Sequence, residues 1–291
     1  MAIRKVGVIG CGLMGHGIAQ VAAQGGCEVI VAEENQAFLD KGLERIDKSL
    51  AKLSEKAKEK GQTFDAAAVR GRIRGTLAKG ELSDCDLIVE AIVENLDVKL
   101  VLFAELGKSA KREAIFASNT SSFPIAEMAA ASGRPDRFVG LHFFNPVQLM
   151  KLVEVVRTDK TNEDVVAQAR AFGEACGKTP ITCKDTPGFV VNRLLVPYMA
   201  EAMKLAERGD ASIPDIDVAM KLGCGYPMGP FELTDYVGLD TTLFILQGWA
   251  RRYPDEAAFR IPKLLAEKVK EGKLGRKTGQ GFYTWQGDKR V

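Results

Sequence analysis

The sequence predicts an α/β protein in two parts. Residues 1–186 read as a Rossmann-type, doubly wound, mostly parallel sheet with a helical insertion, and residues 187–291 as an all-helical C-terminal domain. Three observations carry this expectation. Short β-branched runs alternate with helical patterns through the first two-thirds of the chain, as in a parallel sheet covered on both faces. A glycine-rich turn joins the first strand to the first helix. From Phe189 onward the pattern is largely helical, and "KDTPGF", residues 184 to 189, breaks the chain with Pro and Gly.

The elements follow in order. Lys5–Ile9 reads as the first strand, and Met14–Gln24 as the helix after the glycine turn. Glu28–Ala32 is the second strand. The insertion, roughly Phe38 to Lys60, is a long helix with Leu39, Leu43, Ile46, Leu50 and Leu53 as its apolar stripe. Leu87–Ile92, Ala114–Ser118, Phe138–Phe144, Leu152–Arg157 and Pro180–Cys183 are the remaining strands. Leu96–Ser109 and Glu163–Cys176 are helices between them. Phe189–Glu207, Ile216–Lys221 and Pro262–Glu271 are helices of the second domain.

Composition excludes several classes. With 46% hydrophobic and 27% charged residues the 291-residue chain is an ordinary globular protein. With a net charge of only +2, nothing argues for a nucleic-acid partner. No apolar run approaches the roughly 20 residues of a membrane span. "MAIRKVGVIG" enters a strand pattern at once, without the layout of a secretory or transit peptide. The six cysteines form no C-x-x-C pair, and only two histidines accompany them, so no metal site is expected. A reducing cytoplasm is the expected compartment.

The turn "GCGLMG" places Gly10, Gly12 and Gly15 after a hydrophobic strand and before a helix, the context a dinucleotide fingerprint requires. Gly10 permits the tight turn, Gly12 the approach of a pyrophosphate, and Gly15 close helix–strand packing. Leu13 and Met14 complete the loop, and the helix N-terminus offers N–H groups to the phosphates. Glu33 ends the second strand and can accept hydrogen bonds from a ribose. It would repel a 2′-phosphate, and no Arg or Lys follows before Lys41, so NAD is favoured over NADP. His16, in the first turn of the helix, reads as a bystander.

The other histidine lies in "GLHFFNPVQLMKLVEVV", residues 140 to 156. If the two strands here pair antiparallel about Gln148, residues whose numbers sum to 296 face each other, and His142 and Glu154 satisfy that sum. Such a pair fits a general base with an orienting carboxylate. It also fits a structural His–Glu pair in a core. Asn119, Thr120, Ser121 and Ser122 lie at the carboxyl end of a strand, where open α/β sheets bind ligands; helix capping is their plainer role. Asn192, in the first turns of the helix after Pro187-Gly188, reads by itself as a surface or packing amide. Along the insertion helix Lys41, Arg45, Lys48, Lys52 and Lys56 recur at helical spacing. They form either a solvated face or a landing strip for an anion.

Taken together, "GxGxxG", "EAIVENLDVK", "SNTSS", "GLHFFNPV", "KLVEVV", "DTPGFVVNR", "GYPMGPFELTDYVGLD" and "GRKTGQGFY" resemble the short, monofunctional 3-hydroxyacyl-CoA dehydrogenases, including the bacterial 3-hydroxybutyryl-CoA dehydrogenases. The resemblance covers essentially the whole chain. It implies NAD-linked interconversion of an L-3-hydroxyacyl-CoA and its 3-ketoacyl-CoA. It matches His142 to the family's catalytic base, Glu154 to its orienting carboxylate, Ser121 to the serine on the substrate oxygen, and Asn192 to the asparagine at the substrate carbonyl. Glu94, Lys99 and Asn145 match positions around the nicotinamide half of the cofactor. Ser49 and Lys56 match CoA-contacting positions, and Lys277 a cofactor-contacting lysine. A homodimer through the helical domain is implied as well. Glu33 stands where many members have Asp, which leaves NADP open. Two rival readings remain: a dehydrogenase of a free hydroxy or sugar acid, and a redox-inactive, crystallin-like binding protein.

Overall fold

The structure, a computed structural model, describes residues 3–291. The chain packs as two compact units, the first ending at Phe189 and the second beginning at Val190.

In the first unit, strands β1 (Lys5–Ile9), β2 (Glu28–Ala32), β3 (Ile73–Thr76), β4 (Leu87–Glu90), β5 (Ile115–Ser118), β6 (Phe138–Phe143), β7 (Leu152–Arg157) and β8 (Thr179–Lys184) form one sheet. Its order is β3-β2-β1-β4-β5-β6-β7-β8. The first six strands run parallel, in the doubly wound order that reverses between β1 and β4. β7 turns back antiparallel to β6, and β8 runs parallel to β7. The central strands are apolar on both faces because helices cover both. One face packs on α1 (Gly15–Gln24), α2 (Gln36–Glu59), α3 (Ala66–Gly71) and α6 (Glu163–Ala175), through residues such as Ile18, Ile46, Val69 and Phe172. The other packs on α4 (Leu96–Ser109) and α5 (Ile125–Ala131), through Phe103, Leu106 and Met128.

The structure corrects the sequence reading around the insertion. After the insertion helix come α3 and then β3, so the strand read as third is the fourth in the chain. β3 is the four-residue run IRGT, with only Ile73 and Thr76 buried. An edge strand with a polar outer flank and a glycine carries too little alternation to be read. The insertion helix begins two residues earlier than expected, because the Asn35 side chain accepts a hydrogen bond from Phe38 N and caps it.

The second unit contains α7 (Val191–Glu207), α8 (Ile213–Cys224), α9 (Pro230–Val237), α10 (Leu239–Arg252) and α11 (Lys263–Lys270) around Met199, Met203, Phe231, Leu246 and Phe259. It also holds a short two-stranded ribbon, β9 (Trp285–Gln286) and β10 (Lys289–Arg290), which the all-helical expectation lacked. Two buried carboxylates secure this tail. Asp235 accepts from Phe282 N, Tyr283 N and Trp285 Nε1, and Asp217 accepts from Phe231 N, Glu232 N and the Tyr283 hydroxyl. Burial without those six donors would be costly.

Candidate active site

The glycine loop leaves β1 where the strand order reverses. Gly10 has φ +94°, and a Cβ on Gly15 would lie 1.7 Å from the Gly10 carbonyl, so both positions require glycine. Around Gly12 there is open space, as a phosphate-bearing ligand needs. Leu13 is exposed, and Met14 is the N-cap of α1. Glu33 is fixed before any ligand arrives: one carboxylate oxygen accepts from Cys11 N at 2.5 Å, the other from Glu34 N at 3.0 Å. A cavity of about 360 Å³ beside it is lined by Gly10, Glu33, Glu34, Lys79, Ile92 and Val98, among others. The strand-to-helix turn, the open glycine and the oriented carboxylate beside a cavity together fit the adenosine and pyrophosphate parts of a dinucleotide.

At the ends of β4 and β5 lies a charge network that the sequence did not reveal. Glu90 is fully buried and accepts from Lys99 Nζ at 2.5 Å, Ser118 Oγ at 2.5 Å and Ile92 N at 2.8 Å. Lys99, itself 1% exposed, also meets Glu94 at 3.1 Å. Glu94 in turn accepts from the hydroxyls of Thr120 (2.5 Å) and Ser122 (2.9 Å) and from Ser121 N (3.3 Å). Burial pushes the Glu94 carboxyl up, but Lys99 and the Thr120 and Ser122 hydroxyls outweigh it and hold it below the ordinary range. It is therefore an ionised clasp on the Ser121 turn. The signal in the sequence is an acidic residue closing the apolar strand LIVE, the same placement that singled out Glu33.

His142 and Glu154 face each other across β6 and β7, in the register expected from the sequence. His142 Nδ1 lies 2.6 Å from Glu154 Oε2, and His142 Nε2 lies 3.0 Å from Ser121 Oγ. A carboxylate accepts, so Nδ1 carries the proton. Nε2 is then the basic nitrogen, and the serine hydroxyl donates to it. The pair is dry: His142 is 4% exposed and Glu154 is fully buried. Phe144 and Phe189 flank the imidazole, with ring centroids 4.5 and 5.5 Å away. Phe189 adopts φ 55°, a left-handed conformation that costs a non-glycine residue free energy and that tends to mark functional sites.

Asn119 is buried, and its side-chain oxygen accepts from Phe143 N at 2.9 Å, which ties β5 to the histidine strand. Asn145 is exposed just past β6. Lys178 reaches the following turn and donates to the Val147 and Met150 carbonyls. That turn and α2 line a second cavity, of about 460 Å³. It brings together Ser49 and Lys56 with Arg45, Lys48 and Lys52, and with His16; Lys41 is not on its wall. Asn192 lies in the second unit, in the first turn of α7. Lys277 is in that unit too, paired with Asp240 at 2.5 Å. Among the described residues no cluster of His, Cys, Asp and Glu can hold a metal ion.

A doubly wound sheet with a dinucleotide loop, and a Ser–His–Glu chain at its carboxyl edge, has the make-up of a nucleotide-dependent dehydrogenase. Family models make the assignment narrower. The 3-hydroxyacyl-CoA dehydrogenase NAD-binding domain matches residues 5–186, and the C-terminal domain of the same family matches residues 188–285. The chain belongs to the 3-hydroxyacyl-CoA dehydrogenase family, and its first unit is that family's NAD-binding domain. It is 51% identical to the mitochondrial hydroxyacyl-coenzyme A dehydrogenase of Sus scrofa, over 98% of this chain and 92% of that one. It is 49% identical to a probable 3-hydroxybutyryl-CoA dehydrogenase of Deinococcus radiodurans, over 97% of this chain and 100% of that one. The crystal structure of (S)-3-hydroxybutyryl-CoA dehydrogenase from Ralstonia eutropha superposes with a TM-score of 0.92 at 39% identity, covering 98% of this chain and all of the other.

Proposed function

We propose that this protein interconverts a short-chain L-3-hydroxyacyl-CoA, 3-hydroxybutyryl-CoA foremost, and its 3-ketoacyl-CoA, with His142 as general base and acid. The observation that carries the reading is the Ser121–His142–Glu154 chain, whose hydrogen bonds leave Nε2 as the one basic nitrogen. In oxidation Nε2 takes the proton of the substrate's 3-hydroxyl, and Glu154 stabilises the imidazolium that forms. Ser121 donates to the same oxygen as its charge changes. In reduction the imidazolium returns the proton. NAD, when bound, supplies the hydride acceptor or donor. Gly10, Gly12, Leu13, Met14, Gly15 and Glu33 would hold its adenosine and pyrophosphate parts, with Glu94, Lys99, Asn119 and Asn145 toward the nicotinamide. Ser49 and Lys56 would hold CoA. For Asn192 and Lys277 the support is their match to the family's positions.

We extend the proposal to a homodimer, on the exposed Leu194, Leu222 and Phe244 of the helical unit. A reducing cytoplasm suits the six free cysteines, of which Cys224 is exposed. The test of the activity is initial rates with acetoacetyl-CoA against free acetoacetate, each with NADH and NADPH, for the wild type and His142→Gln. Turnover of the CoA ester with NADH is expected, with loss of about 10³-fold in His142→Gln while NADH binding persists. A variant rate near that of the wild type would remove His142 from the mechanism. Preference for free acetoacetate would favour a hydroxy-acid dehydrogenase.

A further inference from the structure

His16 lies in the first turn of α1, one residue past the last glycine of the dinucleotide loop, and forms part of the wall of the basic cavity. Its Nδ1 is 2.7 Å from the Gly12 carbonyl. A carbonyl only accepts, so Nδ1 carries a proton in either charge state, and Nε2 is the nitrogen whose protonation varies. A neutral ring therefore presents a lone pair at Nε2, which repels a phosphate oxygen. A protonated ring presents a donor, which binds one.

The surroundings bias that choice. From α2 the groups that line the cavity with the ring are Arg45, Lys48, Ser49, Lys52, Leu53 and Lys56, and four of these six are cations. From the turn after β6 come Pro146, Gln148 and Leu149, all uncharged. In the ring's own loop Cys11 is a neutral thiol, pushed up to about 12 by burial first and by Glu33 second. Burial and then the charge of Arg45 push the imidazole below its ordinary value of 6.5, against an upward pull from the Gly12 bond. With the cavity free, the ring is neutral at neutral pH. A bound polyanion compensates the cations and offers Nε2 an acceptor, so the balance reverses.

We propose that His16 is a ligand-contacting residue of the basic cavity, which takes up a proton on Nε2 when a phosphate-bearing ligand binds and donates to that phosphate. The inference rests on the acyl-CoA reading of the site and adds to it a proton-coupled contact supplied by the dinucleotide loop itself. By linkage, binding is favoured below the titration midpoint of the free ring, and the advantage is lost as pH rises through the midpoint of the occupied one.

The chain has only two histidines, so His16 can be followed by itself. The ring Cε1–H signals are recorded by NMR from pH 5 to 9, with His142→Gln assigning which is which. Spectra are taken without ligand, with saturating CoA and with 3′-dephospho-CoA. CoA is expected to raise the His16 midpoint by about one pH unit, which makes CoA binding about tenfold tighter in mild acid than in mild base. A rise lost with 3′-dephospho-CoA assigns the 3′-phosphate as the partner; a rise kept assigns the pyrophosphate. An unchanged midpoint with CoA bound overturns the inference and leaves the acyl-CoA reading standing. Failure of CoA to bind at all overturns both. In a second measurement, His16→Gln should bind CoA with an affinity that follows only the ligand's own titration between pH 6 and 8, while NADH fluorescence shows the dinucleotide site intact. A pH dependence equal to the wild type counts against the proposal. Should that variant not fold, the NMR titration of the unmodified ring decides.

Discussion

Two regions of the first unit carry the charge that the proposed chemistry uses, and they hold it in opposite ways. His142 and Glu154 sit on paired strands, fully or almost fully buried, joined at 2.6 Å and walled by two phenylalanines. The cations of α2 stand on long side chains at the surface; Lys48, 69% exposed, already pairs with Glu44 one turn away. In the first region one position and one partner decide everything, because low dielectric makes a lone charge there costly and a paired one strong. In the second, several cations share the work, and water and salt screen each of them. Proton transfer needs the first arrangement and capture of a polyanion needs only the second.

Removing the carboxylate charge tests the buried region most severely. Glu154→Gln keeps an oxygen that can accept from Nδ1–H but loses the charge that stabilises the imidazolium. We expect kcat to fall by about 10²-fold, with KM for the CoA ester little changed. The limb on which reduction slows as pH rises should move to lower pH. Rates measured from pH 5 to 9 check this, and an unmoved limb would assign Glu154 a purely structural place.

The same contrast explains what could be read in the sequence. The facing of His142 and Glu154 was legible only on the assumption that the strands pair about Gln148, and the structure has that register. The cationic recurrence on α2 was legible because helical spacing is local. Glu90 with Lys99 was not, since their contact depends on how α4 packs against β4, nine residues of chain apart but fixed by the whole sheet. Nor was His16: only the seating of α2 beside the glycine loop, where Gly42 leaves no room for a Cβ against Cys11, turns that residue toward a basic cavity. β3 was not legible because an edge strand needs so little apolar pattern.

Glu94 stands between the two regimes, partly exposed yet bonded to Lys99 and to three residues of the Ser121 turn. Glu94→Gln should slow turnover about tenfold by loosening Ser121, with the Tm also lowered. The sign of the pH dependence follows from the lowered pKa. The carboxylate contributes stability above its unfolded value, near the ordinary 4.5, and that contribution disappears as pH falls through the lower folded value. The Tm gap between wild type and variant should therefore be full at pH 7 and should shrink progressively below about 4.5. A gap that stays constant down to pH 3 would mean that packing rather than charge holds the turn.

Lys56→Ala should have the smallest effect, because it removes one cation from a cavity wall that also carries Arg45, Lys48 and Lys52. We expect KM for acetoacetyl-CoA to rise about threefold, with kcat unchanged, as for a group that binds ground state and transition state alike. An acyl-pantetheine, which lacks the nucleotide phosphates, should lose nothing. Salt gives the second reading: raising ionic strength should weaken CoA-ester binding in the wild type and do so less in the variant, since one screened contact is already missing. Equal losses for both substrates would return Lys56 to the solvated face of α2, and would confine the substrate's charge to the wall formed by the remaining three cations.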